Sequence, residues 1–145
     1  MKKIIYFFLT IFILVNSNIY AKDANSEELS QNFSYDEKVK FLKNTIGTLQ
    51  YKKIGIIPDT IVKSSNNKYL LVYGQPEKIN RQYPQTTKIS LIELNKGKFI
   101  KNYVYTIGYG VYEASFDKEN KYVILEANFT YKIDLKTKKW RWLTM

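Results

Sequence analysis

The stretch Gly110–Leu143, GVYEASFDKENKYVILEANFTYKIDLKTKKWRWL, decides the fold. It runs in order through a short strand, a polar turn, an apolar strand, a loop, an alternating strand, a lysine-rich turn and an aromatic strand. β-Branched and aromatic residues hold the strand positions because their side chains suit a pleated, half-buried surface. Asp117-Lys118-Glu119-Asn120 supplies turn chemistry, since short polar side chains bond locally and Asn tolerates the left-handed region. One antiparallel unit, repeat two, is therefore expected over 110–143.

The same cadence occurs earlier in the chain. Asn67-Lys68-Tyr69-Leu70-Leu71-Val72 answers Asn120-Lys121-Tyr122-Val123-Ile124-Leu125, and Ile92-Glu93-Leu94 answers Ile133-Asp134-Leu135. Repeat one is placed at 56–107. In its apolar strand Leu70 and Val72 point one way while Tyr69, Leu71 and Tyr73 point the other, so both faces should be covered. Leu70 and Ile124 are both expected in the core. Gly97 supplies the positive φ of the Asn95–Lys98 hairpin. Lys138 stands where Gly97 stood, and a side chain there predicts a more strained turn.

This pattern of a polar turn, Asn-Lys-Tyr, an apolar strand, Ile-Asp/Glu-Leu, a lysine-rich turn and an aromatic strand resembles β-propeller blade repeats. The resemblance covers about Ile57 to Leu143 and implies a mainly β protein built of antiparallel sheet. Propellers typically have four or more blades around a central channel. Two units cannot enclose one, so the resemblance brings no functional residue. Two blade-like sheets packed with a helix, or one curved antiparallel sheet, are the expected arrangements.

A single N-terminal helix is predicted over 34–47. Ser34 and Glu37 form an S-x-x-E capping box. Tyr35, Val39, Leu42 and Ile46 follow at helical spacing, and Gly47 suits a left-handed C-terminal cap. Thr48–Ile54 and Ile56–Lys63 read as strands, with Pro58 confining its segment to an edge or a strand start. Residues 22–33 are polar, without apolar periodicity, and are expected to be a flexible N-terminal segment.

Residues 1–21 have the layout of a signal peptide: Lys2 and Lys3, an apolar run from Ile4 to Val15 broken by Thr10, and Ala21 at the expected cleavage point. A periplasmic or secreted location follows; retention of the leader as an anchor is the alternative. The chain has no cysteine, so packing alone must hold the exported domain. Its formal charge is +10, and loss of Lys2 and Lys3 with the leader lowers that by two, to +8. Such a charge favours anionic partners. Arg81 and Arg141 are the sole arginines, and nucleic-acid recognition leans on arginine forks, so a nucleic-acid partner is not expected.

With neither histidine nor cysteine, Ser-His-Asp and Cys-His catalysis are excluded, along with ordinary zinc, copper and haem ligation. No cofactor and no metal is expected. Ser65-x-x-Lys68 and Ser115-x-x-Lys118 match a serine–lysine spacing that requires a helix, yet both fall at strand–turn junctions. Asp117, Glu119 and Asn120 sit in a loop too short for a calcium shell. Asn32 and Asn128 begin glycosylation-type triplets that would matter in a eukaryote. Glu93 with Asp134, and Glu113 with Glu126, are the carboxylate pairs on which a remote glycoside-hydrolase alternative rests.

Two regions are expected to bind a partner. Gln75–Lys88 is an insertion: Tyr69 to Ile92 spans 23 residues against 11 from Tyr122 to Ile133, leaving 12 extra in repeat one. It carries Lys78, Arg81, Tyr83 and Lys88, residue types able to steer and anchor an acidic partner. Trp140 and Trp142 alternate on the last strand and share one side, forming an interface if exposed and core if covered. The chain is therefore read as an exported, non-enzymatic binding protein, in its sharpest form a periplasmic immunity or inhibitor protein occluding a toxin or cell-wall hydrolase. The alternative is a module binding an anionic envelope glycan or lipid through lysine and tyrosine.

Overall fold

The computed structural model describes residues 26–79 and 81–143. The leader and its cleavage point lie outside the described residues. Among the described residues two antiparallel sheets and two helices make up the fold. Strands β1 (Ser26–Glu28), β2 (Ile56–Ser64), β3 (Tyr69–Pro76), β4 (Thr87–Asn95) and β5 (Lys98–Ile107) form the first sheet in sequence order. Strands β6 (Glu113–Phe116), β7 (Tyr122–Glu126), β8 (Thr130–Asp134) and β9 (Trp140–Trp142) form the second. Each repeat is thus a four-stranded meander, β2–β5 and β6–β9, with β1 added at the first sheet's edge. The fold is mainly β, in two sheets rather than one curved sheet. Among the described residues no helix is long and apolar enough to cross a membrane.

The repeat is visible bond by bond. Asn67 and Asn120 both adopt positive φ, 57° and 49°. The Tyr69 N–H donates to Ser64 Oγ at 3.0 Å, and the Tyr122 N–H donates to Asp117 Oδ1 at 2.7 Å. The Leu94 N–H reaches the Lys68 carbonyl at 2.8 Å, and the Leu135 N–H reaches that of Lys121 at 2.8 Å. Lys138 takes φ 60° where Gly97 takes 75°, so the lysine does occupy a glycine-like conformation. Its ammonium offsets part of that cost by donating to the Tyr69 hydroxyl at 3.1 Å and to the Leu135 carbonyl.

Helix α1 (Tyr35–Ile46) begins at Ser34 with both halves of the capping box formed and ends at Gly47. Leu42 and Ile46 are buried, while Tyr35 remains exposed. Thr48–Ile54, expected as a strand, is instead a second helix, α2, bracketed by Gly47 and Gly55 at positive φ. Leu, Gln and Lys favour a helix, and the three-residue spacing of Tyr51 and Ile54 buries both on one face. Residues 26–33, expected to be irregular and flexible, hold strand β1. Ser26, Glu27 and Glu28 pair with Ser64, Lys63 and Val62. The hydroxyl of Ser30, 2% exposed, accepts the Ile61 N–H at 2.8 Å. That short polar segment satisfies backbone along β2 which a bare sheet edge would leave open. Pro58 lies beyond the reach of β1, where the β2–β3 register shifts between Pro58 and Thr60.

The core has two layers. Leu42, Ile46, Tyr51 and Ile54 pack from the helices onto Ile56, Ile61, Leu70, Val72 and Ile92. The opposite face of the first sheet, with Val62, Leu71, Tyr73, Ile89 and Leu91, meets Phe116, Val123, Leu125, Tyr131 and Ile133 of the second. The β3 strand is covered on both faces, as its pattern required. Ile124 is a correction: it points away from the first sheet and is partly exposed, while its neighbours Val123 and Leu125 are buried. Among the described residues the second sheet is covered on one face only, and strand alternation sends Ile124 to the other.

Candidate functional site

Antiparallel alternation gathers four connections at one end of the stack: the β3–β4 loop, the β5–β6 linker, the β7–β8 turn and the residues after β9. The Val111 N–H donates to Thr87 Oγ1 at 3.1 Å and the Tyr112 N–H to the Glu126 carbonyl at 3.0 Å, tying the linker to both sheets. At the other end the tight turns meet, with Asn120 Nδ2 donating to Ser65 Oγ at 2.8 Å.

Three of the expected loop residues come together. Lys78, Tyr83 and Lys88, with Pro76, Thr86, Thr106 and Gly108, line a cleft of about 450 Å³. Lys88 lies on the helix side of β4 and its ammonium donates to the Gly55 carbonyl at 3.4 Å, so this cation is anchored near the end of α2. Arg81 is exposed at the loop tip and does not line the cleft.

The two tryptophans separate. Both lie opposite inward-facing residues of β8, Trp142 opposite Tyr131 and Trp140 opposite Ile133. Yet they are 59% and 48% exposed, which decides for a surface rather than a core. Trp142 belongs to a cleft of about 430 Å³ with Tyr112, Glu126, Asn128, Phe129, Thr130 and Leu143 among its walls. Phe129 and Trp142 meet at right angles with ring centres 5.8 Å apart, and Tyr109 meets Phe129 at 71° and 6.2 Å. Trp140 packs on Tyr131 at 5.6 Å and borders a different cleft of about 360 Å³, with Tyr122, Lys132, Asp134, Lys139 and Arg141.

Phe129 is an addition that the sequence does not point to, whereas Tyr109 and Tyr112 belong to a tyrosine cluster at the junction of the repeats (Tyr103, Tyr105, Tyr109 and Tyr112) and Glu126 is expected there only as half of a carboxylate pair. They come from the linker, the turn and a strand end, and only the exposure of Tyr109 and Tyr112 among the clustered linker tyrosines marks them out. Tyr103 and Tyr105 pack against the inter-sheet core instead. The Tyr105 hydroxyl donates to the Lys138 carbonyl at 2.8 Å, and burial, then Tyr103, pushes its pKa up to about 12. Lys138 lies over Tyr69 and Tyr103, 4.5 and 5.3 Å from the ring centres, and 3.9 Å from Glu93. This cluster joins the sheets.

The carboxylate pairs divide in the same way. Glu113 and Glu126 stand directly opposite each other on β6 and β7. Asp134 is spent on its turn: the N–H groups of Thr137 and Lys136 hold its carboxyl below the usual carboxylate range. Asp117 likewise accepts the N–H groups of Lys121 and Tyr122. Among the described residues no group of three acidic side chains is placed to hold a metal. Comparison with family models, curated proteins and solved structures returned no match.

Proposed function

We propose that this chain is an exported, non-enzymatic binding protein that covers a surface of another protein, in the manner of an immunity or inhibitor protein acting on a toxin or cell-wall hydrolase. The observation that carries the reading is the exposed aromatic corner of Tyr109, Tyr112, Phe129 and Trp142, fixed to the end of a packed sheet. Large aromatics on a rigid frame supply contact area at low entropic cost, and they are enriched where binding energy concentrates. Gly108 borders the loop cleft and Tyr112 the aromatic cleft. Four residues of linker can separate them by at most about 14 Å. Both clefts therefore fit beneath one partner footprint of roughly 800 Å².

The test is capture of an envelope partner by the mature chain, identification of that partner, and titration of the purified pair. Trp142→Ala and a chain with residues 78–85 replaced by a short turn should each weaken binding at least about tenfold if they are central contacts. Unchanged affinity in both variants refutes the reading. The alternative of an anionic glycan is favoured by one observation: Lys132 and Arg141 stand directly opposite on β8 and β9. Such like-charge pairing destabilises a sheet; the Tyr122 ring centre, 3.4 Å from the Lys132 ammonium, offsets part of that cost, and an anion between the two cations would offset more. Binding of oligogalacturonate that disappears in Lys132→Gln and Arg141→Gln, with no protein partner found, would install that alternative.

A further inference from the structure

We infer that the cleft between Tyr112, Phe129 and Trp142 receives an ammonium group, specifically a lysine side chain of the protein partner. This rests on the proposed function and names the chemistry of its central contact. The chain carries a formal +10, yet among the described residues neither lysine nor arginine lines this cleft. The clefts at the loop and beside Trp140 each hold basic residues. Among the described residues the neighbouring cleft of Glu28, Tyr73, Tyr112 and Glu113 also holds no basic residue, so this corner of a basic protein presents carboxylates and aromatic rings.

Three physical features select an ammonium. Tyr112, Phe129 and Trp142 are 72%, 47% and 59% exposed, so their rings are available. The Phe129 and Trp142 planes meet at 90°. Perpendicular rings bound a corner that can place a compact cation against aromatic faces, where the ring quadrupole attracts it. A sugar ring would prefer a flat strip of parallel faces. Glu126 completes the wall: one oxygen accepts the Thr130 hydroxyl at 2.9 Å, and the other has no partner among the described residues. Glu113 directly across from it adds a second negative charge, and neither carboxylate has an ion-pair partner among the described residues.

The mature full chain should be titrated with tetramethylammonium chloride and N-acetyl-lysine methylamide, following the two tryptophan indole N–H signals by NMR. Both probes should shift the Trp142 signal saturably and leave that of Trp140 in place. tert-Butanol, of similar size but uncharged, should bind at least about threefold more weakly, the factor expected of a cation–π contact. Glu126→Gln should weaken the ammonium probes about three- to fivefold while leaving the tert-butanol response unchanged. Tyr112→Ala should abolish the Trp142 shift, and Phe129→Leu supplies the same test should Tyr112→Ala fail to fold. Equal responses to tert-butanol, a saturable response to maltotriose in place of the ammonium probes, or no response to either ammonium overturns the inference. Loss of partner binding in Trp142→Ala without ammonium binding sinks this inference alone. Ammonium binding with partner affinity unchanged in both Trp142→Ala and the 78–85 replacement sinks the proposed function, and with it the partner's lysine as occupant, while the cleft's preference for an ammonium stands.

Discussion

The two repeats share a cadence and a turn chemistry, yet one is buried on both faces and the other on one. In the first, Leu70 and Val72 meet the helices while Leu71, Tyr73, Ile89 and Leu91 meet the second sheet. In the second, Val123 and Leu125 take the places of Leu70 and Val72, but they meet the first sheet. The positions of Leu71, Tyr73, Ile89 and Leu91 become Ile124, Glu126, Thr130 and Lys132. Both sheets are stacked in the same sense, so a third unit would settle on that last row. Its polar side chains end the stack on one side, as the helices do on the other. The lesson is that an internal repeat fixes hydrogen-bond geometry, while the composition of each face fixes how many units pack.

The largest expected effect tests this asymmetry. Leu70→Ala and Leu91→Ala should each cost about 2–5 kcal/mol in denaturant unfolding, because both side chains are fully enclosed. Ile124→Ala should cost less than about 1 kcal/mol, since its outward position already meets water. Equal losses at Leu91 and Ile124 would break the comparison.

A second contrast lies at Gly74 and its counterpart Ala127. A Cβ on Gly74 would stand 2.0 Å from the Ile57 carbonyl oxygen and 2.8 Å from the Asp59 nitrogen, where backbone cannot yield cheaply. Gly74→Ala should therefore destabilise by about 1–3 kcal/mol or more, against about 1 kcal/mol for Ala127→Gly. Chemical unfolding of the two variants decides it.

Lys138→Met keeps the apolar stem but removes the cation over Tyr69 and Tyr103. The expected cost is about 1 kcal/mol. No loss would mean that the ammonium adds nothing to the apolar contacts and hydrogen bonds that join the two sheets.

The last effect is alkaline. Burial first, then neighbouring tyrosines, raises both Tyr51 and Tyr105 to about 12, against about 10 in an unfolded chain. Stability from keeping these hydroxyls neutral is complete below pH 10 and is lost as pH rises towards 12. Tyrosinate absorbance should show a late-titrating class that vanishes in urea, and Tyr105→Phe should reduce it.

Much of this was legible in the chain. Asn67 and Asn120, each before Lys-Tyr and an apolar run, set both turns, and Ser34 with Glu37 marked the helix start. Thr48–Ile54 misled because Thr, Tyr and Ile favour strands in a window too short to show a period, though Gly47 and Gly55 bracket it. Ser26–Glu28 carries no apolar signal, because its role is to supply backbone to the β2 edge. Ile124 was misplaced because alternation separates two faces without saying which is covered. The site was half legible. Trp142 and the basic loop stood out by residue type, whereas Glu126, Phe129 and Tyr112 become neighbours only once strand ends and linker converge.

Every strand pairs with its neighbour in sequence. Among the described strands β1 alone waits for a distant segment, pairing Ser26–Glu28 with Val62–Ser64 across both helices; the other pairings are local, and such topologies form quickly. The delay falls elsewhere: when the first meander is complete at Ile107, the row Leu71, Tyr73, Ile89 and Leu91 still faces water. It stays uncovered until Val123, Leu125 and Ile133 arrive. The interval between those two moments is when the chain is most prone to stick to its own kind, and the Gly108–Tyr112 linker, by its brevity, keeps it short.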